Sequence, residues 1–436
     1  MPEYVVGLLG LLVLVILLFQ GMHIGIAMVL VGSVGFLILR GPSAALAQMI
    51  NTPFGTVNNE ALSVIPLFTL MGVVCAYGGI SQDLYAACYT FVSRMRGGLA
   101  IATEIACALF GAICGSATAT TASMGKICLP EMDKYNYKRT LTCGSISAGG
   151  TLGILIPPSV GFMMYAINAE IGVGTMFIAG IIPGIVLCLC YSMVVFGVCL
   201  IDPAAGPKGP KFSAKEKLKA SMGVLPVVVL FALVLGGILF GWCSASEGAS
   251  VGAAGAFVFM AIKRNFTFKN VVASLRETLE TTAMIFLIMI GANILANFFS
   301  SSGLPQMLTR TVAAAEVSRV WILVACLGIF GILGCFVDSL PLIVLLTPIF
   351  LPIIDLLGYD RIWFGVLMVM LMELGLLTPP VGMCCYVMAG IVKDTPLSTV
   401  FKGTAPFIVG IVVAIAIVIA FPILSQWLPS FMRYGA

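Results

Sequence analysis

Two stretches of this chain set glycines and a double proline inside otherwise apolar sequence: Gly149-Gly150-Thr151-Leu152-Gly153-Ile154-Leu155-Ile156-Pro157-Pro158, and Glu373-Leu374-Gly375-Leu376-Leu377-Thr378-Pro379-Pro380. Proline has no backbone donor and drives the residue before it out of the helical region. Each stretch is therefore expected to unwind, with carbonyl oxygens at one half-helix end and free N–H groups at the other. Carbonyls suit Na+, which wants several oxygen ligands; N–H ends, with about half a positive charge, suit an anion such as a carboxylate. Ahead of each stretch lies a polar run, Gly115-Ser116-Ala117-Thr118-Ala119-Thr120-Thr121 in one case and Asp338-Ser339-Leu340-Pro341 in the other. Together a polar run and an unwound helix offer oxygens from two directions, which neither does alone.

The candidate Na+ ligands are accordingly Ser116, Gly149, Gly153 and Pro157 at one site, and Asp338, Ser339, Gly375 and Thr378 at the other. The candidate substrate contacts are Ser116, Thr118, Thr120, Pro158, Thr378 and Pro380. Asp338 stands out because an acid inside a span is expensive unless it pairs or faces water. Glu104, Lys126 and Glu373 also interrupt apolar runs, each open to a functional or a structural reading; Lys126, near the base of its segment, has the geometry to snorkel. The single histidine, His23, starts a span and reads as an interfacial group.

What must position these residues is a set of membrane spans. Sixty per cent of the 436 residues are apolar and 9% are charged, whereas a soluble domain carries about 25% charged residues. Charge-free stretches at 4–39, 61–82, 140–169, 171–201, 281–309 and 403–432 each reach the roughly 20 residues a spanning helix needs. The first holds two spans broken near Gln20-Gly21 and continues without a cleavage site, so the N-terminus is expected to be retained. Fourteen scattered cysteines with no C-x-x-C pair read as small apolar fillers.

Seventeen basic residues fall on one side of the spans, among them Lys208, Lys211, Lys215, Lys217 and Lys219 of a Pro/Gly-rich linker over 202–220; only Arg40, Arg310, Arg319, Arg361 and Arg433 fall opposite. Basic loops stay cytoplasmic, so both termini are expected in the periplasm.

The halves are related by an offset of 222 positions. It superposes Leu129-Pro130 on Leu351-Pro352, Asp133 on Asp355, Tyr137 on Tyr359, Arg139 on Arg361, Gly153 on Gly375 and Pro157-Pro158 on Pro379-Pro380, eight identities in 30 residues. Arg139 comes out cytoplasmic and Arg361 periplasmic, so the repeat is expected to be inverted, as in many secondary transporters. The expected fold is an all-α polytopic membrane protein of two inverted repeats, 1–201 and 221–436. The first holds a hairpin at about 97–135 and a broken helix at about 138–169; the second, a hairpin at about 319–358, a broken helix at about 361–392 and a last span. Charge and periodicity do not choose between a re-entrant hairpin and two full spans; both hairpins are expected to be re-entrant, which places Thr118 and Ser339 deep in the membrane.

The motifs Gly115-Ser116-Ala117-Thr118-Ala119-Thr120, Gly153-Ile154-Leu155-Ile156-Pro157-Pro158-Ser159 and Leu377-Thr378-Pro379-Pro380-Val381-Gly382 resemble the large membrane subunit, the DctM family, of the tripartite ATP-independent periplasmic (TRAP) transporters. The resemblance spans nearly the whole chain. It implies a Na+-driven importer of an organic acid, such as a sialic acid or a C4-dicarboxylate, across the bacterial inner membrane. It also implies an elevator-type transport domain of hairpins and broken helices, a periplasmic substrate-binding protein and a small four-helix membrane subunit. Met1 leads straight into the first span, so that subunit is expected as a separate chain.

Other classes lack their residues. Gly125-Lys126 has neither the upstream glycine nor the Ser/Thr of a phosphate loop, and no H-E-x-x-H or G-x-S-x-G occurs. No enzymatic activity, organic cofactor or nucleic-acid partner is expected. The alternative is a self-sufficient Na+/carboxylate carrier or exporter that needs no binding protein.

Overall fold

The computed structural model describes residues 2–314, 317–337, 339–392 and 394–432. Asp338 therefore lies outside the described residues, as do Lys393 and Arg433. The described chain is helical throughout, with no strand, and eight of its helical segments are long and apolar enough to cross a membrane.

Local sequence sets many of the helix ends. Ser213 with Glu216 and Ser244 with Glu247 form reciprocal capping boxes at the starts of Ala214–Leu239 and Ala245–Ile262, each satisfying two otherwise orphaned N–H donors. Gly115 ends helix Gly98–Cys114 with φ of 64°, a left-handed conformation that glycine adopts without a Cβ clash.

A framework surrounds the site. The 35-residue helix Phe268–Ser302 lies against Ile24–Arg40, closely enough that a Cβ on Gly291 would stand 2.6 Å from the Gly25 carbonyl oxygen. Small residues at such crossings let backbones approach where lipid supplies no hydrophobic drive. Large apolar side chains such as Phe54, Leu225 and Val258 stay exposed on the outer faces, as expected of lipid-facing helices.

The interior is built from two similar units. Window 97–135 holds helices Gly98–Cys114 and Ala117–Lys134; the next window holds Arg139–Leu155 and Val160–Asn168. In the second half the matching helices are Arg319–Gly334, Ser339–Leu356, Arg361–Leu377 and Met383–Ile391. Adding 222 to the bounds of Ala117–Lys134 and Arg139–Leu155 lands on Ser339–Leu356 and Arg361–Leu377. The ion pairs repeat too: Arg139–Asp133 and Arg361–Asp355 both close at 2.7 Å.

The two units interlock. Val160–Asn168 packs on Ser339–Leu356, and Met383–Ile391 packs on Ala117–Lys134, so each outer half-helix lies on the other unit's hairpin. The ends of the bundle differ in chemistry. At one, Lys138 pairs with Asp202 at 3.1 Å, and the linker is tied down through Gly97 N–H to Gly206 O at 2.9 Å and Lys138 N–H to Ala205 O at 3.0 Å. At the other, Arg361 donates to Ala169 O at 3.3 Å while its carbonyl accepts from the Tyr165 hydroxyl at 2.7 Å.

Candidate functional site

Both proline stretches interrupt their helices, but over a shorter length than the glycines imply. The first helix runs unbroken to Leu155 and resumes at Val160; the second runs to Leu377 and resumes at Met383. Gly149, Gly153 and Gly375 are thus helical, and the expected unwinding from Gly149 to Pro157 contracts to residues 156–159. The reason is packing: these glycines make room for neighbours. A Cβ on Gly153 would stand 2.8 Å from Thr120 Oγ1 and 3.1 Å from Ser116 O, and one on Gly375 would stand 2.3 Å from Gly334 O. Gly149 lies two turns below the break, where a Cβ would stand 2.9 Å from Glu104 Oε2. The peptides Pro157-Pro158 and Pro379-Pro380 are both cis.

At the first break the hairpin tip meets the unwound chain. Ser116 caps helix Ala117–Lys134, accepting from Ala119 N–H at 3.4 Å, with its hydroxyl 3.3 Å from that of Thr118. A Cβ on Gly115 would lie 3.0 Å from Pro158 O, and one on Gly150 would lie 1.9 Å from Thr121 Oγ1. Ser116, Thr120, Gly153 and Pro158 are therefore neighbours. Thr120 is buried, and among the described residues its hydroxyl has only the Cys114 thiol as a polar partner. Ser159 caps the outer half-helix, accepting from Phe162 N–H at 3.3 Å and donating to Ile154 O. Pro157 instead lines an apolar cavity with Ile105, Ile185 and Phe231.

The second break is more open. Pro380 is exposed where Pro158 is buried. Thr378 donates to Leu374 O at 2.6 Å, Val381 N–H donates to Cys335 O at 3.3 Å, and buried Ser339 begins the returning hairpin helix. Among the described residues no three His, Cys, Asp or Glu side chains cluster as metal ligands. At the first break the buried Thr120 hydroxyl and the Ser116 carbonyl of the hairpin tip both lie against Gly153.

Thr151 and Tyr191 are not among the candidate residues, yet they meet in the interior beside Glu373. Thr151, in the first broken helix, lies 3.4 Å from the Glu373 carboxylate and 3.3 Å from the Tyr191 hydroxyl. Glu373 was visible only as a charge in an apolar run; the offset of 222 pairs it with Thr151 and was the signal that could have found the contact. Tyr191 carries no sequence signal. Glu104 is wholly buried, with no hydrogen bond to either oxygen among the described residues. Lys126 is exposed midway along its helix, and His23 is exposed at the N-cap of Ile24–Arg40.

Residues 11–424 match the family described as tripartite ATP-independent periplasmic transporter, DctM component. The C4-dicarboxylate TRAP transporter large permease protein DctM of Pseudomonas aeruginosa is 33% identical over 91% of this chain and 92% of its own length. The sialic acid TRAP transporter large permease protein SiaM of Vibrio cholerae is 29% identical, covering 96% and 97%. The ectoine counterpart TeaC of Halomonas elongata is 29% identical, covering 94% and 96%. In fold, the chain resembles the YdaH transporter of Alcanivorax borkumensis, with a TM-score of 0.62 at 14% identity over 91% of each chain.

Proposed function

This chain belongs to the DctM-component family of tripartite ATP-independent periplasmic transporters, and we propose that it is the permease through which a Na+ gradient draws a small organic acid across the bacterial inner membrane. The observation that carries this reading is the convergence of a polar hairpin tip on a broken helix, with Ser116, Thr120 and Gly153 in contact beside the Pro157-Pro158 break. Half-helix carbonyls and hydroxyls suit Na+; the N–H groups at the start of Val160–Asn168 suit a carboxylate.

Several observations support the finer parts of the proposal. A hairpin tip level with a break inside its neighbour favours a re-entrant hairpin, because irregular backbone at that depth is tolerated beside protein or a wet cavity. The matched helix bounds and ion pairs at an offset of 222 favour an inverted repeat, and the exchange of outer half-helices favours a single moving body, as an elevator needs. The lysine-rich end holding the linker is the cytoplasmic face, which leaves both termini periplasmic. The second Na+ site, at Asp338, Ser339, Gly375 and Thr378, rests on the repeat alone. A carboxylate substrate follows from the relatives' C4-dicarboxylates and sialic acid; a periplasmic binding protein and a small membrane subunit follow from the tripartite family.

The test is reconstitution in proteoliposomes with labelled succinate or N-acetylneuraminate, with the binding protein and small subunit added or withheld. Uptake is expected only with inward Na+ and both partners, with a raised half-saturating Na+ concentration in Ser116→Ala and Asp338→Asn. Saturable uptake by the chain alone would identify a self-sufficient carrier. Uptake indifferent to Na+ would overturn the proposal.

A further inference from the structure

We infer a second solute site, on the framework at the Arg361 end of the bundle, which receives a small carboxylate-bearing solute before it reaches the breaks; it rests on the transport reading above. It is a cavity of about 330 Å³ lined by Thr52, Thr56, Asn59, Asn293 and Asn297 and bounded by Ile167, a volume at the lower end of small-molecule pockets.

Its chemistry is out of place unless it is used. Helix Phe268–Ser302 is uniformly apolar from Ala283 to Ala292, then presents two amides one turn apart, Asn293 and Asn297. Polar side chains inside a span are expensive and mark solute pathways. The first of these amides is held in place: Asn293 Nδ2 donates to Thr56 Oγ1 at 2.9 Å, and Thr56 donates to Thr52 O at 2.7 Å. Gln48, on helix Pro42–Val57 with Thr52 and Thr56, fastens that helix to Phe268–Ser302, its Nε2 donating to Ile294 O at 3.0 Å. Asn59 spends its Oδ1 on Ala61 N–H at 3.0 Å, which leaves its amide N–H groups as donors. Among the described residues no charged side chain lines the cavity. Neutral donors hold a carboxylate without the strength of a guanidinium or ammonium, and a transit site must release what it binds.

Position completes the argument. Ile167 belongs to the outer half of the first broken helix, and its neighbour Asn168 places Nδ2 3.8 Å from Met289 Sδ on the framework. A solute in the cavity is thus beside the element that begins at the first break, yet clear of the hairpin tips.

Gly55 is a reporter that disturbs nothing: it lines the cavity, and a Cβ there meets no atom within 4 Å. The full chain carrying Gly55→Cys is placed in nanodiscs and labelled with an uncharged maleimide, with and without succinate, N-acetylneuraminate or ectoine. Modification is read peptide by peptide, so the native cysteines remain. At least one of the three is expected to slow labelling without Na+, by about fivefold at roughly four times its Kd. Adding Asn59→Ala and Asn297→Leu should abolish the slowing and leave the solute-free rate unchanged. If none of the three slows labelling, or the slowing survives both substitutions, the site is overturned. Thr118→Cys, labelled in parallel with and without Na+, reports separately on the transport reading.

Discussion

The Thr151 hydroxyl lies 3.4 Å from the Glu373 carboxylate, and the two residues are each other's counterparts under the 222-residue offset. Positions that exchange under a two-fold operation meet only near its axis, so under the proposed inverted repeat this contact marks the seam between the halves. Tyr191 joins it from helix Val173–Ile201, and the single Thr151 hydroxyl proton is shared between Ala148 O at 2.8 Å and Glu373.

If the seam holds the broken helices together, a double-mutant cycle of Thr151→Val and Glu373→Met should show a coupling of about 1 kcal/mol, the worth of a buried hydrogen bond. Thermal unfolding of the detergent-solubilised protein measures it. Strict additivity would mean that the two side chains are neighbours without being partners.

The glycine contacts yield a paired prediction. In Gly150→Ala the new Cβ would meet the Thr121 hydroxyl at 1.9 Å, so a loss of about 1–3 kcal/mol is expected and Thr121→Ala should recover most of it. In Gly375→Ala the obstacle is the Gly334 carbonyl at 2.3 Å. Backbone cannot be trimmed away, so no side-chain substitution nearby should rescue that variant. Melting temperatures across the four proteins decide the matter.

Arg139 and Arg361 make matched ion pairs, but among the described residues only Arg361 also binds across the units, through Ala169 and Tyr165. Half-exposed pairs are worth about 0–1 kcal/mol, so Asp133→Asn and Asp355→Asn should both be mild. Arg361→Met should destabilise clearly more than Arg139→Met, since it strands the Ala169 carbonyl. Equal effects would show that the cross-unit bond contributes nothing.

Asp202 holds the linker to the bundle, and its carboxyl is held below the usual value, first by the Lys138 hydrogen bond. A depressed carboxyl stabilises above its unfolded pKa, and that contribution disappears as pH falls through the folded pKa. Hydrogen exchange over 203–209, corrected for intrinsic rates, should therefore be slow at neutral pH and rise in the acid range. Asp202→Asn should lack this pH dependence and exchange faster at neutral pH.

Composition, charge and proline decide a good deal before any folding partner is present. The paucity of charge demands lipid. Pro157-Pro158 and Pro379-Pro380 interrupt whatever helix contains them, because a missing donor and a fixed φ act on the adjacent turn wherever the chain lies. Gly115 likewise ends its helix through its own backbone freedom. These are effects of one or two turns, legible in a string of residues.

Tertiary structure decided everything that depends on which surfaces meet. Gly149 and Gly153 read as helix breakers in isolation, yet they stay helical because Glu104, Thr120 and the hairpin backbone press against them. The similar sequences of the two breaks conceal that Pro158 is buried and Pro380 exposed. The framework cavity joins residues 52–59 to residues 289–297, more than two hundred positions apart. Local propensity carries no information over that distance; packing of whole helices does, and it brought Thr151 to Glu373.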